Sequence, residues 1–214
     1  LGIKMGEPFF MIQEAVKKHT IHAFSSNYTL YGDLSQRVMS VIEESWPEVE
    51  VYSIDEAFID LSSLPQAQHT HFCTDLQKKI LRYTGIPTSI GIGQTKTLAK
   101  AANFLAKKHF KTPVFNISDA LHWLAHVDVE DVWGIGRQWA LKLYAQGINT
   151  AHDLARMNPH WIKKKYTVVM MRTVMELNTI PCAGLEVAEA KQSIMSSKSF
   201  GTMQNQYSII AEAI

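Results

Sequence analysis

Between residues 28 and 46 apolar side chains return at helical spacing. Leu30, Leu34, Val38, Val41 and Ile42 form one stripe, and Pro47 closes the run. The period then shortens. Val49, Val51, Tyr52, Ile54, Phe58, Ile59 and Leu61 read as strand, broken by the polar pair Asp55-Glu56, so the pattern predicts a β-hairpin with both carboxylates near its turn. A second helix is expected over 74–83, a short β-branched strand over 87–92, a third helix over 95–110 after Gly91 and Gly93, and an edge strand over 114–117. Past Asp119 the strand signal stops and short helices run to about residue 178. Residues 180–184 punctuate the chain, and 191–200 read as a Ser-rich linker leading into a strand. The expected fold class is α+β: a ferredoxin-like layer lacking its first strand, followed by a small all-α unit.

Composition narrows the classes. With 46% hydrophobic and 19% charged residues over 214 positions, the chain is globular rather than disordered, collagenous or coiled-coil. No apolar run approaches the roughly 20 residues that cross a bilayer, so no membrane role is expected. The two cysteines, Cys73 and Cys182, have neither zinc spacing nor a disulfide framework, and no secretory signal is visible, which fits a cytoplasmic protein. The chain opens on Leu1-Gly2-Ile3-Lys4 rather than Met, inside what reads as a formed segment, so the natural N-terminus is expected upstream. The net charge of +1 hides an asymmetry. Residues 1–60 carry 4 Lys or Arg against 10 Asp or Glu, a net of −6, and the remainder carries 17 against 10, a net of +7. An acidic part joined to a basic one suits a metal beside a polyanion, and an unevenly charged surface is the plain alternative.

Three segments carry candidate chemistry. Neighbouring residues on a regular strand face opposite ways, so Asp55 and Glu56 can share an ion only where the pleat breaks, as at a hairpin tip. Carboxylates converging there suit Mg²⁺; a solvated acidic turn is the competing reading. Gly91-Ile92-Gly93-Gln94-Thr95-Lys96 lacks Walker spacing, yet a helix N-terminus with Lys96 and Lys100 one turn apart can hold phosphate. Lys107, Lys108 and Lys111 continue that basic run, which reads equally as a solvated face. Val132-Trp133-Gly134-Ile135-Gly136-Arg137 places a Gly-apolar-Gly turn between short helices, where amides approach a DNA phosphate unhindered, unless it is an ordinary helix corner. Lys163-Lys164-Lys165 reads as a solvated run. His69 and His71 read as a loop rather than a metal pair.

Together these segments resemble the Y-family translesion DNA polymerases, in their UmuC-type branch with MucB, RumB and ImpB. The resemblance runs along nearly the whole chain and rests on residues 52–61, 95–100 and 131–137, with residues 1–10. It implies a remnant of fingers over 1–24, a palm over 25–118, a helix-hairpin-helix thumb over 119–180, and a linker with the start of a little-finger domain over 181–214. It implies template-directed nucleotidyl transfer in error-prone translesion synthesis during the SOS response, by a two-metal mechanism with Mg²⁺ at Asp55 and Glu56. By the same resemblance Lys96 and Tyr31 bind the incoming nucleotide, and Ser53, Gly134, Gly136 and Arg137 lie on the DNA. Primer-template DNA, dNTP, a UmuD′ dimer and the RecA filament are the implied partners, with a sliding clamp reached through segments outside this chain. The family's first strand, with a further metal-binding Asp, would lie before Leu1, so the chain alone is expected to be inactive. A non-catalytic palm-thumb module that binds DNA without metal is the alternative.

Overall fold

A computed structural model describes residues 1–4, 6–186, 193–195, 197 and 199–212. Helix α1 (Phe9–Lys18) buries no residue, whereas α2 (Tyr28–Glu43), capped by the Asn27 side chain on the Leu30 amide, buries Val38, Met39, Val41 and Ile42. Of the expected stripe Val38, Val41 and Ile42 are buried, Leu34 is half-buried and Leu30 is exposed, and the helix stops at Glu43. The Ser45 and Trp46 amides instead close a turn on the Ile42 carbonyl.

Strands β1 (Val49–Val51) and β2 (Ala57–Ile59) form the expected antiparallel hairpin, with Glu50 opposite Phe58. Helix α3 (Gln66–Thr84) starts eight residues earlier than its apolar pattern predicts, because its first two turns are polar and only Cys73, Leu76, Gln77 and Ile80 face the core. The loop expected around His69 and His71 is therefore helix. Residues two apart on a helix diverge, and His69 meets the Leu64 carbonyl while His71 faces Asp75. Burial raises the Cys73 thiol to about 11.

Strand β3 (Ile90–Ile92) pairs in parallel with β4 (Val114–Asn116), and the crossover between them is α4 (Lys96–Leu105) with a wide π-helical turn at Ala106–Phe110. Gly91 and Gly93 explain the closeness of that crossover. A Cβ on Gly91 would stand 2.2 Å from the Ala99 carbonyl oxygen and the Asn103 amide nitrogen, and one on Gly93 2.6 Å from the Ala99 amide.

Helices α5 (Ala120–Leu124), α6 (Arg137–Tyr144), α7 (Ala151–Ala155), α8 (Pro159–Lys165) and α9 (Val168–Leu177) follow. Two buried clusters result. One joins α2 and α3 over the hairpin; the other runs without a break from Leu98 and Leu105 of α4 to Val174 and Leu177 of α9, crossing residue 119. Beyond Phe200 the expected strand is not formed among the described residues, which instead enter a short helix, α10 (Tyr207–Glu212). Much of the predicted Ser-rich linker lies outside the described residues.

Candidate active site

The hairpin turn is built from backbone outward. The Tyr52 and Ser53 amides both donate to the Glu56 carbonyl at 3.0 Å, which folds residues 52–56 tightly and leaves Asp55 exposed at the tip. Ser53 then acts on its neighbour: its hydroxyl donates to Asp55 Oδ1 at 2.8 Å and accepts from the Asp55 amide at 3.3 Å. This side chain, expected on DNA, fixes the Asp55 carboxylate in the free chain. The Ser35 hydroxyl of α2 donates to the Ile54 carbonyl and ties the turn to that helix. Tyr31, exposed and edge-on to Tyr28 at 6.5 Å, stands one turn before Ser35 on the same helix face.

Helix α4 approaches from the other side and sends both its lysines into the hairpin. Lys100 pairs with Glu56 at the turn. Lys96 pairs with Glu50 on β1 at 2.5 Å, with its ammonium 5.0 Å from the centre of the Phe58 ring. The Lys96 side chain is 9% exposed, and its charge is paired with a buried carboxylate. Lys107, in the π-helical turn that follows α4, is exposed and lacks an ion-pair partner among the described residues.

The N-terminus of α4 is also not the open phosphate cradle that its sequence suggests. Glu176, 3% exposed on α9, places Oε2 on the Thr97 amide at 3.0 Å and the Thr97 hydroxyl at 2.6 Å. Its Oε1 accepts the Cys182 and Ala183 amides at 3.1 and 2.9 Å, and the Thr95 hydroxyl donates to its carbonyl. The chain thus supplies its own anion where the helix dipole and free amides favour one. Glu50 does similar work nearby, accepting the Glu186 amide at 2.7 Å. Neither acid announces itself in sequence; one sits in an apolar strand and the other in an apolar helix.

The glycine turn lies against this hairpin. Trp133 packs on Tyr52 and Phe58 with ring centres 5.6 Å apart in each case, and Tyr52 meets Phe58 at the same distance. Gly134 takes a positive φ of 85°, Gly136 caps α6 without a side-chain cap, and the space before both glycines is open. The expected first helix of the motif is a single 3₁₀ turn, Val129–Asp131, held by Asp128. Asp128 also accepts from Tyr144 at 2.5 Å, which raises that phenol to about 12. Burial and the neighbouring Asp128 raise Asp131, and Lys108 opposes the shift. Arg137 is exposed at the start of α6.

Asp55 and Glu56, Lys96 and Lys100, Tyr31 and the Gly134–Gly136 turn therefore meet around one hairpin. Among the described residues no three His, Cys, Asp or Glu side chains stand together as a metal cluster. No described helix is long and apolar enough to cross a membrane.

In fold, the acidic hairpin backed by a helix, with a glycine turn on its flank, resembles the palm and thumb domains of solved Y-family DNA polymerases. The insertion ternary complex of Dbh DNA polymerase superposes with a TM-score of 0.71 at 21% identity, over 86% of this chain and 54% of that one. A Y-family chimera, Dbh-Dpo4(243-245)-Dbh, gives 0.74 at 21% identity over 89% and 56%. Residues 1–103 match the model described as the impB/mucB/samB family. The chain is 44% identical to Protein UmuC of Salmonella typhimurium over its whole length and 52% of that protein. It is 44% identical to Protein ImpB of the same organism over 94% and 49%, and 39% identical to Protein MucB of Escherichia coli over 94% and 49%. The chain spans about half the length of these relatives.

Proposed function

We propose that this chain is the palm and thumb of an enzyme that performs template-directed nucleotidyl transfer on damaged DNA, as in SOS-induced translesion synthesis. The observation that carries the reading is the packing of Trp133, beside an open glycine turn, on Tyr52 of the hairpin whose broken pleat carries the two adjacent carboxylates. The domain limits proposed are those of the sequence: fingers remnant over 1–24, palm over 25–118, thumb over 119–180, and little-finger entry over 181–214.

Asp55 and Glu56 fit a hard divalent cation, since each keeps a carboxylate oxygen beyond the one engaged by Ser53 or Lys100, and the donors are all oxygen. Bound Mg²⁺, two ions in the complete polymerase, would activate the primer 3′-hydroxyl and neutralise the departing pyrophosphate. The protein's own part is positional. Ser53 orients Asp55; Lys100 neutralises Glu56 when no metal does; Lys96 holds Glu50 and so the hairpin. Lys96, whose ammonium pairs with Glu50 in the free chain, and Tyr31 are the residues for the incoming nucleotide. The amides of the Gly134–Gly136 turn and Arg137 grip the DNA backbone without reading bases. A UmuD′ dimer and the RecA filament are the partners proposed with this activity, and a sliding clamp through segments beyond this chain.

Primer extension tests the reading. The 214-residue chain alone gives no measurable extension, while a protein of the relatives' full length carrying these residues extends primers. Asp55→Ala or Glu56→Ala reduces that extension to background. Extension indifferent to both substitutions overturns the proposal in favour of a non-catalytic module.

A further inference from the structure

We infer that the groove between α6 and α8, on the thumb and apart from the glycine turn, is a second nucleic-acid site that takes unpaired DNA. It is a cavity of about 330 Å³ lined by Trp139, Lys142, Gln146, Lys165 and Tyr166. Two lysines are already laid against its rings. Lys142 stands 4.5 Å from the centre of Trp139, and Lys165 stands 4.6 Å from Trp161 and 5.9 Å from Tyr166. Trp139 packs edge-on to Tyr166 at 5.9 Å, so two rings share the wall, and Trp161, just outside the lining, stands edge-on to Tyr166 at 6.0 Å. The Tyr166 hydroxyl is buried there with no hydrogen-bond partner.

Charge selects the occupant. Residues 132–175 contain seven Lys or Arg and one acid, Asp153, whose carboxylate is committed to the Asn149 and Thr150 amides. Lys163 and Lys164 are exposed beside Lys165 on α8. A strongly positive surface with clustered aromatic faces is the combination that binds single strands, phosphates meeting lysines and bases stacking on rings. Paired bases in a duplex cannot turn their faces into such a groove, whereas the glycine turn needs only a phosphate backbone. The unpartnered Tyr166 hydroxyl supplies a hydrogen-bonding group for a base edge or phosphate.

The inference rests on the nucleic-acid reading of the chain, and its test separates the two. Fluorescence anisotropy would follow a labelled oligothymidylate and a duplex of equal length binding to the chain, to Trp161→Leu, to Lys142→Gln/Lys165→Gln, and to Arg137→Gln. All substituted side chains reach the surface, and thermal melts check folding. The groove variants lose about fivefold or more in single-strand affinity with duplex binding unchanged, and Arg137→Gln does the reverse. Single-strand binding indifferent to the groove variants overturns the inference while leaving the duplex site standing. So does polyglutamate binding that needs the same rings and matches the oligothymidylate, which would make the groove a dock for acidic protein segments. Failure of both DNAs to bind would instead remove the functional reading itself.

Discussion

Glu56 and Lys100 neutralise each other across the hairpin turn, partly exposed at 33% and 23%. A cation that binds Glu56 must displace or share with that ammonium. Removing the competitor in Lys100→Met should therefore tighten Mn²⁺ binding by about fivefold, the worth of roughly 1 kcal/mol for a partly solvated ion pair, as read by titration. Weaker binding in that variant would mean that Lys100 holds the turn in place rather than competing for it. Glu176 poses the opposite case. It is buried, and four donors depend on it. Glu176→Ala strands those donors and should destabilise the fold by about 2–3 kcal/mol or more, with faster hydrogen exchange at the Thr97, Cys182 and Ala183 amides. Glu176→Gln, which keeps the side chain's shape and one acceptor oxygen, should lose less; equal stability of Ala and wild type in denaturant melts would contradict the clamp.

At the scale of elements, two segments with the same spelling do different work. Gly91-Ile92-Gly93 and Gly134-Ile135-Gly136 both read as phosphate-approaching turns, yet the first pair is pressed against α4 and the second faces open space. Gly91→Ala should cost about 1–3 kcal/mol through overpacking, measured by chemical denaturation. Gly136→Ala should leave stability nearly unchanged while weakening duplex binding. A neutral Gly91→Ala would refute the close-packing account. This contrast shows what local pattern can carry. The hairpin and the stripe of α2 were legible because their periodicity is set by one buried face. The start of α3 was not, because its first turns bury nothing, and helix formation there follows from the core contacts of Cys73, Leu76 and Ile80 further on. The roles of Lys96 and of the α4 N-terminus were hidden for a related reason. Their partners, Glu50 and Glu176, lie 46 and 79 or more positions away, and only the fold brings them near.

For the whole molecule, the Tyr52, Phe58 and Trp133 rings join the acidic hairpin directly to the glycine turn, and one buried cluster runs from α4 into the thumb. The acidic hairpin and the glycine turn are thus held in fixed register. Which residues lie at that junction was legible in the sequence as motifs; how they share charge was not. The central claim is that Asp55 and Glu56 hold a divalent cation used with a nucleotide. Electron paramagnetic resonance of free Mn²⁺, titrated with the chain and a dNTP, tests it most directly. Uptake of Mn²⁺ that falls to the level of the dNTP alone in both Asp55→Ala and Glu56→Ala is the predicted result. Uptake that exceeds the dNTP control equally in wild type and both variants would contradict it.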